Sequence, residues 1–139
     1  MTTPFGPQLI GETEKTLNAL LIRHLDTVGV DGGLTEPQWV TLRVASMLDG
    51  TVTRDVLVTA VADRARFVDA AEHVDDLTTR GLLENGHLTA AGRDLLTRVQ
   101  TSLVGDTSAL FGDLAPDDVA ATERVLNEVL HRARMTLAS

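Results

Sequence analysis

Chemistry in this chain has to come from histidine and carboxylate, because the sequence holds no cysteine to act as nucleophile or thiolate ligand. The four histidines, His24, His73, His87 and His131, are scattered. No pair stands at a metal-ligand spacing and no His-Glu motif lies on a helix, so no metal site is expected. Glu72 and His73 are adjacent and cannot share a helix face. The pairs Asp75-Asp76 and Asp117-Asp118 read as solvated faces or helix N-terminal charges. A glycine-rich phosphate loop and a nucleophile elbow are both missing, so neither catalysis nor a cofactor is expected. His24 is the one candidate base for an acid/base reaction.

The elements that position these groups follow from periodicity. After a loose lead-in over residues 1–7, apolar Leu17, Leu20, Leu21, Leu25 and Val28 recur at helical spacing, with His24 on the same face. Gly29, Gly32 and Gly33 supply a turn. Thr35 is an N-cap with Pro37 in the first turn. Behind it Trp39, Val40, Leu42, Val44, Met47 and Leu48 form an apolar face too broad for a surface helix, and Gly50 closes that central helix. Thr53 caps a short helix ending near residue 62 or 63. A second, over about 65–80, turns Phe67, Ala70, Ala71, Val74 and Leu77 inward, with Gly81 at its C′ position. Glu84-Asn85-Gly86 between Leu83 and Leu88 is a strong hairpin signal. Thr89 then caps a long helix loosened at Gly105 and broken at Gly112. Pro116 opens a last helix with Val119, Leu126, Val129, Leu130 and Leu137 on one side.

This inventory of about six helices and one short β-hairpin gives a mainly α fold in a single domain, 1–139. The terminal segments carry apolar faces that a core of this size need not consume, and an intertwined homodimer would bury them. No run approaches the length of a membrane helix, and MTTPFGPQ lacks a basic flank followed by an apolar block, so a cytoplasmic protein with no membrane partner is expected. The net charge of −8 lowers the prospect of nucleic-acid binding, which draws on a basic surface. With three Phe, one Trp and no Tyr, stacking platforms for single strands are scarce. Three cations still stand where helices are expected to begin: Arg54 on one short helix, and Arg64 with Arg66 on the next. There they could meet phosphate.

Five segments in order carry a likeness that covers nearly the whole chain. They are LTEPQWVTLR at 34–43, GTVTRDVLVTAV at 50–61, VDDLTTRGLL at 74–83, LTAAGRDLL at 88–96 and DLAPDDVAATERVLNEVL at 113–130. Together they resemble MarR-type winged helix-turn-helix regulators. The resemblance implies a homodimer joined through segments 1–33 and 105–139, with the winged lobe and its connecting helix over 34–104. It implies a recognition helix at about 65–80 in the major groove of double-stranded DNA and a wing at the minor groove. Thr53, Arg54, Arg64, Arg66, His73 and His87 are then the candidate DNA contacts. A small aromatic or lipophilic ligand is implied between the dimer arms and the lobe, where His24, Trp39 and Arg43 supply an imidazole, a ring and a guanidinium.

The sequence departs from that pattern in its chemistry. The family's recognition helix reads valine-threonine-arginine, one residue, then valine-aspartate-arginine-leucine. Here the same positions read Ala70-Ala71-Glu72, His73, Val74-Asp75-Asp76-Leu77, with acids at both arginine positions. The wing turn, Glu84-Asn85-Gly86-His87, is short and lacks arginine. Over residues 50–93 five arginines face seven carboxylates. The first expectation is therefore a dimeric DNA-binding transcriptional regulator responsive to a small molecule. The alternative is a protein of the same fold that no longer reads DNA and instead binds or transforms a small metabolite. A third is an interaction module whose acidic lobe meets a protein.

Overall fold

The computed structural model describes residues 2–28, 33–48 and 53–139. Among them the chain is mainly helical: α1 (Pro7–Thr27), α2 (Glu36–Met47), α3 (Arg54–Ala65), α4 (Ala70–Thr79), α5 (Ala90–Phe111) and α6 (Pro116–Ala138). One antiparallel pair, β1 (Leu83–Glu84) and β2 (His87–Leu88), lies between α4 and α5. Two compact units divide it at residues 103 and 104, so the chain beyond Leu103 is described separately.

In the first unit α2 is the hub, packing against α1, α3, α4 and β2. Its breadth of apolar residues explains this, since Trp39, Leu42, Val44 and Ala45 are all buried. Around them Leu57 and Val61 of α3, Val74 and Leu77 of α4, Leu83 of β1, and Leu95 and Val99 of α5 close a single core. Each buried aliphatic side chain contributes roughly 1.5–3 kcal/mol relative to exposure, and burial is therefore the main stabilising term of the unit. Thr41, the buried polar residue of the core, is satisfied by donating to the Pro37 carbonyl oxygen at 2.8 Å.

Local signals fix the ends of these helices. Thr35 and Gln38 form a reciprocal capping box: the Gln38 amide N–H donates to Thr35 Oγ1 at 3.3 Å, and the Thr35 amide donates to Gln38 Oε1 at 3.1 Å. Thr53 Oγ1 accepts from the Val56 amide at 3.4 Å. α4 ends in a Schellman motif, with Gly81 at φ 79°, its amide donating to Thr78 O and the Leu82 amide to Leu77 O. Asn85 and Gly86, at φ 50° and 83°, make a two-residue turn of the type that matches strand twist. Leu83 is thereby paired with Leu88, and Glu84 with His87.

Several boundaries differ from the sequence reading. α3 runs on to Ala65, and α4 begins only at Ala70 rather than near 65. The reason is Arg66, which adopts the left-handed conformation (φ 59°, ψ 28°) and caps α3 through its amide to Ala62 O. α5 passes through Gly105 unbroken and ends before Gly112. The central helix stops at Met47 with Leu48 as its cap. The expected roles of Gly29, Gly32 and Gly50 lie outside the described residues.

In the second unit α6 begins at Pro116, as its sequence suggests, and none of its 23 residues is buried. Val119, Leu126, Val129, Leu130 and Leu137 all stay exposed along it.

Two glycines separate backbone strain from steric exclusion. A Cβ at Gly92 would collide with the Leu82 carbonyl oxygen, whereas one at Gly81 would meet open space. Gly81→Ala should therefore cost about 1 kcal/mol through positive φ alone. Gly92→Ala, which must push α5 off the hairpin, should cost roughly 1–3 kcal/mol. Urea unfolding followed by circular dichroism checks this, with the midpoint falling further for Gly92→Ala at an unchanged slope.

Candidate nucleic-acid interface

The charged groups of α3 and α4 are distributed by the turn between them. Arg54, the first residue of α3, faces α4: its Nε donates to Asp75 Oδ1 at 2.8 Å and its Nη2 to Asp75 Oδ2 at 2.9 Å. Its Nη1 donates to Asp55 Oδ1 at 2.9 Å. The guanidinium holds the Asp75 carboxyl below its ordinary range, and Asp75, then Asp55, raise the arginine in return. Arg54 is thus placed at a helix N-terminus as expected, but three of its N–H donors, including its whole Nε–Nη2 edge, are taken by carboxylates of the same chain.

Arg64 and Arg66 do not open a helix, which corrects the expectation from the sequence. Arg64 lies in the last turn of α3 and Arg66 is its left-handed cap, so both sit at a helix C-terminus, where cations complement the dipole. Both are exposed and make no side-chain hydrogen bond or ion pair with a described residue. The turn they occupy also carries Val68, which is fully exposed.

Asp76, one of the two acids at an arginine position, stays exposed as the sequence suggests, but it is also hydrogen-bonded across to α2. Gln38 Nε2 donates to Asp76 Oδ2, and Arg80 Nη1 donates to Gln38 Oε1 at 3.3 Å. Arg80 Nη2 also donates to the Gly33 carbonyl oxygen at 2.7 Å. One glutamine therefore caps α2 with its own turn and joins that cap to α4. Glu72, the other acid at an arginine position, remains exposed.

His73 turns away from solvent. Its ring meets Phe67 edge-on with centroids 5.9 Å apart, and Nε2 lies 3.1 Å from Asp69 Oδ1 without the alignment of a hydrogen bond. Glu36, at the start of α2, carries a carboxyl raised above its ordinary value, first by burial and then by Glu14 of α1, with His73 opposing. His87 is half-buried in β2 opposite Glu84. Thr53 is held from both sides: it caps α3, and its carbonyl oxygen lies so close to Gly86 that a Cβ there would approach to 2.6 Å. The hairpin turn is thereby seated on the head of α3.

The three candidate ligand residues are not equivalent. Trp39 is 3% exposed and belongs to the core, so its ring is covered by protein. Arg43, one turn on, is exposed. His24 is half-buried on α1 with Nδ1 2.7 Å from Ser102 Oγ of α5. No group of three or more His, Asp or Glu residues able to hold a metal ion occurs among the described residues. No helix among them is long and apolar enough to cross a membrane.

Compared with protein families, curated proteins and solved structures, the chain gave no match.

Glu36 yields a pH prediction with a definite sign. A carboxyl whose folded value is raised binds its proton more readily in the fold than in the unfolded chain. Stability then falls as pH rises through the interval above the ordinary carboxylate value. Glu36→Gln should raise the melting temperature at neutral pH, and the gain should shrink toward pH of about 4. Thermal melts of both proteins across that range provide the check.

Proposed function

We propose that the chain is a dimeric winged helix-turn-helix regulator that binds double-stranded DNA through the α3–α4 lobe. The observation that supports this reading most is the assembly of α3, α4 and the hairpin. A four-residue connection joins two short helices, and the hairpin turn sits against the head of the first. At that connection Arg64 and Arg66, unpaired among the described residues, supply positive charge where the rest of the lobe is acidic. Both positioning and salt-dependent affinity in DNA binding come chiefly from arginine and lysine set against phosphates.

Homodimerisation is supported by α6. Isolated helices gain most of their stability from packing an apolar face. In α6 that face, Val119, Leu126, Val129, Leu130 and Leu137, is left exposed by the described residues of its own unit. A second copy supplies the same stripe in a symmetric contact. Size-exclusion chromatography with light scattering should give twice the 14.9 kDa chain mass. Leu126→Glu with Leu130→Glu should return it to one.

Glu72 and Asp76, exposed along α4 at the two positions where the resembled pattern has arginine, together with the arginine-free hairpin turn, favour a second reading in which the lobe has given up DNA and the protein binds or transforms a small metabolite. Any such site draws on His24 and Arg43 rather than Trp39. Fluorescence anisotropy of a labelled duplex from the gene's own upstream region separates the two. The regulator reading expects binding that weakens with salt. Arg64→Ala with Arg66→Ala should flatten the log–log salt slope by about 0.9 for every phosphate no longer neutralised. Binding that ignores salt, or a slope unmoved by both substitutions, would sink it and leave the metabolite reading.

A further inference from the structure

We propose that the ion pair joining Arg54 to Asp75 and Asp55 is an autoinhibitory contact, in which carboxylates occupy the guanidinium that a DNA phosphate takes on binding. The inference rests on the DNA-binding reading above and adds a control on its affinity.

The geometry is that of a substitute ligand. Arg54 presents Nε and Nη2 side-on to the two oxygens of Asp75, at 2.8 and 2.9 Å. This planar fork is the same arrangement that arginine offers to two phosphate oxygens. Asp55 closes the remaining edge through Nη1 at 2.9 Å. A phosphate cannot take the Nε–Nη2 edge side-on while Asp75 holds it, so Asp75 must leave before phosphate enters there.

Position makes the fork a place where phosphate is favoured. Arg54 begins a helix of twelve residues. Amide dipoles at such an end attract anions. The Thr53 cap and the seated hairpin turn hold this end of α3 in place.

The contact is also weak enough to yield. Its side chains are exposed to 42% for Arg54, 56% for Asp75 and 89% for Asp55. Exposed pairs contribute little to stability and are screened by salt. The Asp75 carboxylate makes no hydrogen bond or ion pair with a described residue other than Arg54, so its release disturbs nothing else. Asp76 behaves differently, because Gln38 and Arg80 tie it into the cap of α2. Of the two neighbouring acids, one is structural and one is a removable cover.

The test uses the full chain and a short labelled duplex of arbitrary sequence, with anisotropy measured over a range of salt. Asp75→Asn should tighten binding by roughly three- to tenfold and steepen the log–log salt slope by about one. Arg54→Ala combined with Asp75→Asn should abolish that gain. Should Asp75→Asn unfold the lobe in a circular dichroism melt, Asp55→Asn opens the fork from the other side and should show the same gain at smaller size. If the unaltered protein binds with salt dependence and these variants match it, the cover is overturned while DNA binding stands. A gain that survives Arg54→Ala overturns it too, as a bulk charge effect. If neither the unaltered protein nor the variants bind in a salt-dependent way, the cover and the DNA reading both fall.

Discussion

The lobe depends on one close approach: the Leu82 carbonyl oxygen against the bare backbone of Gly92. That oxygen also accepts the Thr89 amide at 3.1 Å, while Thr89 Oγ1 donates to Gly81 O and accepts from the Gly92 amide. Three elements therefore meet within a dozen residues: the end of α4, the hairpin, and the start of α5. If they separate, Leu83, Leu88 and Leu95 lose their shared core. Backbone hydrogen bonds supply direction here, and burial supplies most of the free energy.

Electrostatics in this lobe follow from that frame rather than shaping it. With α3 and α4 fixed by packing, Arg54 and Asp75 are brought together, and Gln38 is carried to Asp76 and Arg80. Part of the lobe's charge is thereby answered internally, while Asp63, Glu72 and Glu84 stay exposed. Arg64 and Arg66 stand apart because they sit at the connection, where no described carboxylate pairs with them. Two exposed arginines in an otherwise acidic lobe stand out electrically more than the same residues would on a basic protein.

What the sequence discloses is whatever depends on near neighbours. Thr35, Thr53, Gly81 and Asn85-Gly86 announce caps and turns because each acts within four residues of itself. The apolar breadth of the helix containing Trp39 and Leu42 likewise marks it as central. The α3–α4 boundary is not legible, because Arg66 takes a left-handed conformation that glycine or asparagine would signal and arginine does not. The pairings at the candidate interface are hidden for a different reason. Arg54 and Asp75 are 21 residues apart, and Gln38 and Asp76 are 38, so only the packed fold brings them together. Thr35-x-x-Gln38 does advertise a capping box, but not that its glutamine serves two helices.

Trp39 has a practical meaning beyond the core it fills. The chain has one tryptophan and no tyrosine, so near-ultraviolet emission comes from a single indole. That indole is buried in α2, which touches α1, α3, α4 and the hairpin. Intrinsic fluorescence of this protein is thus a built-in gauge of one place. It reports when the hub of the first unit loosens. A discrepancy between fluorescence and helicity during unfolding would then map which part of the chain let go first.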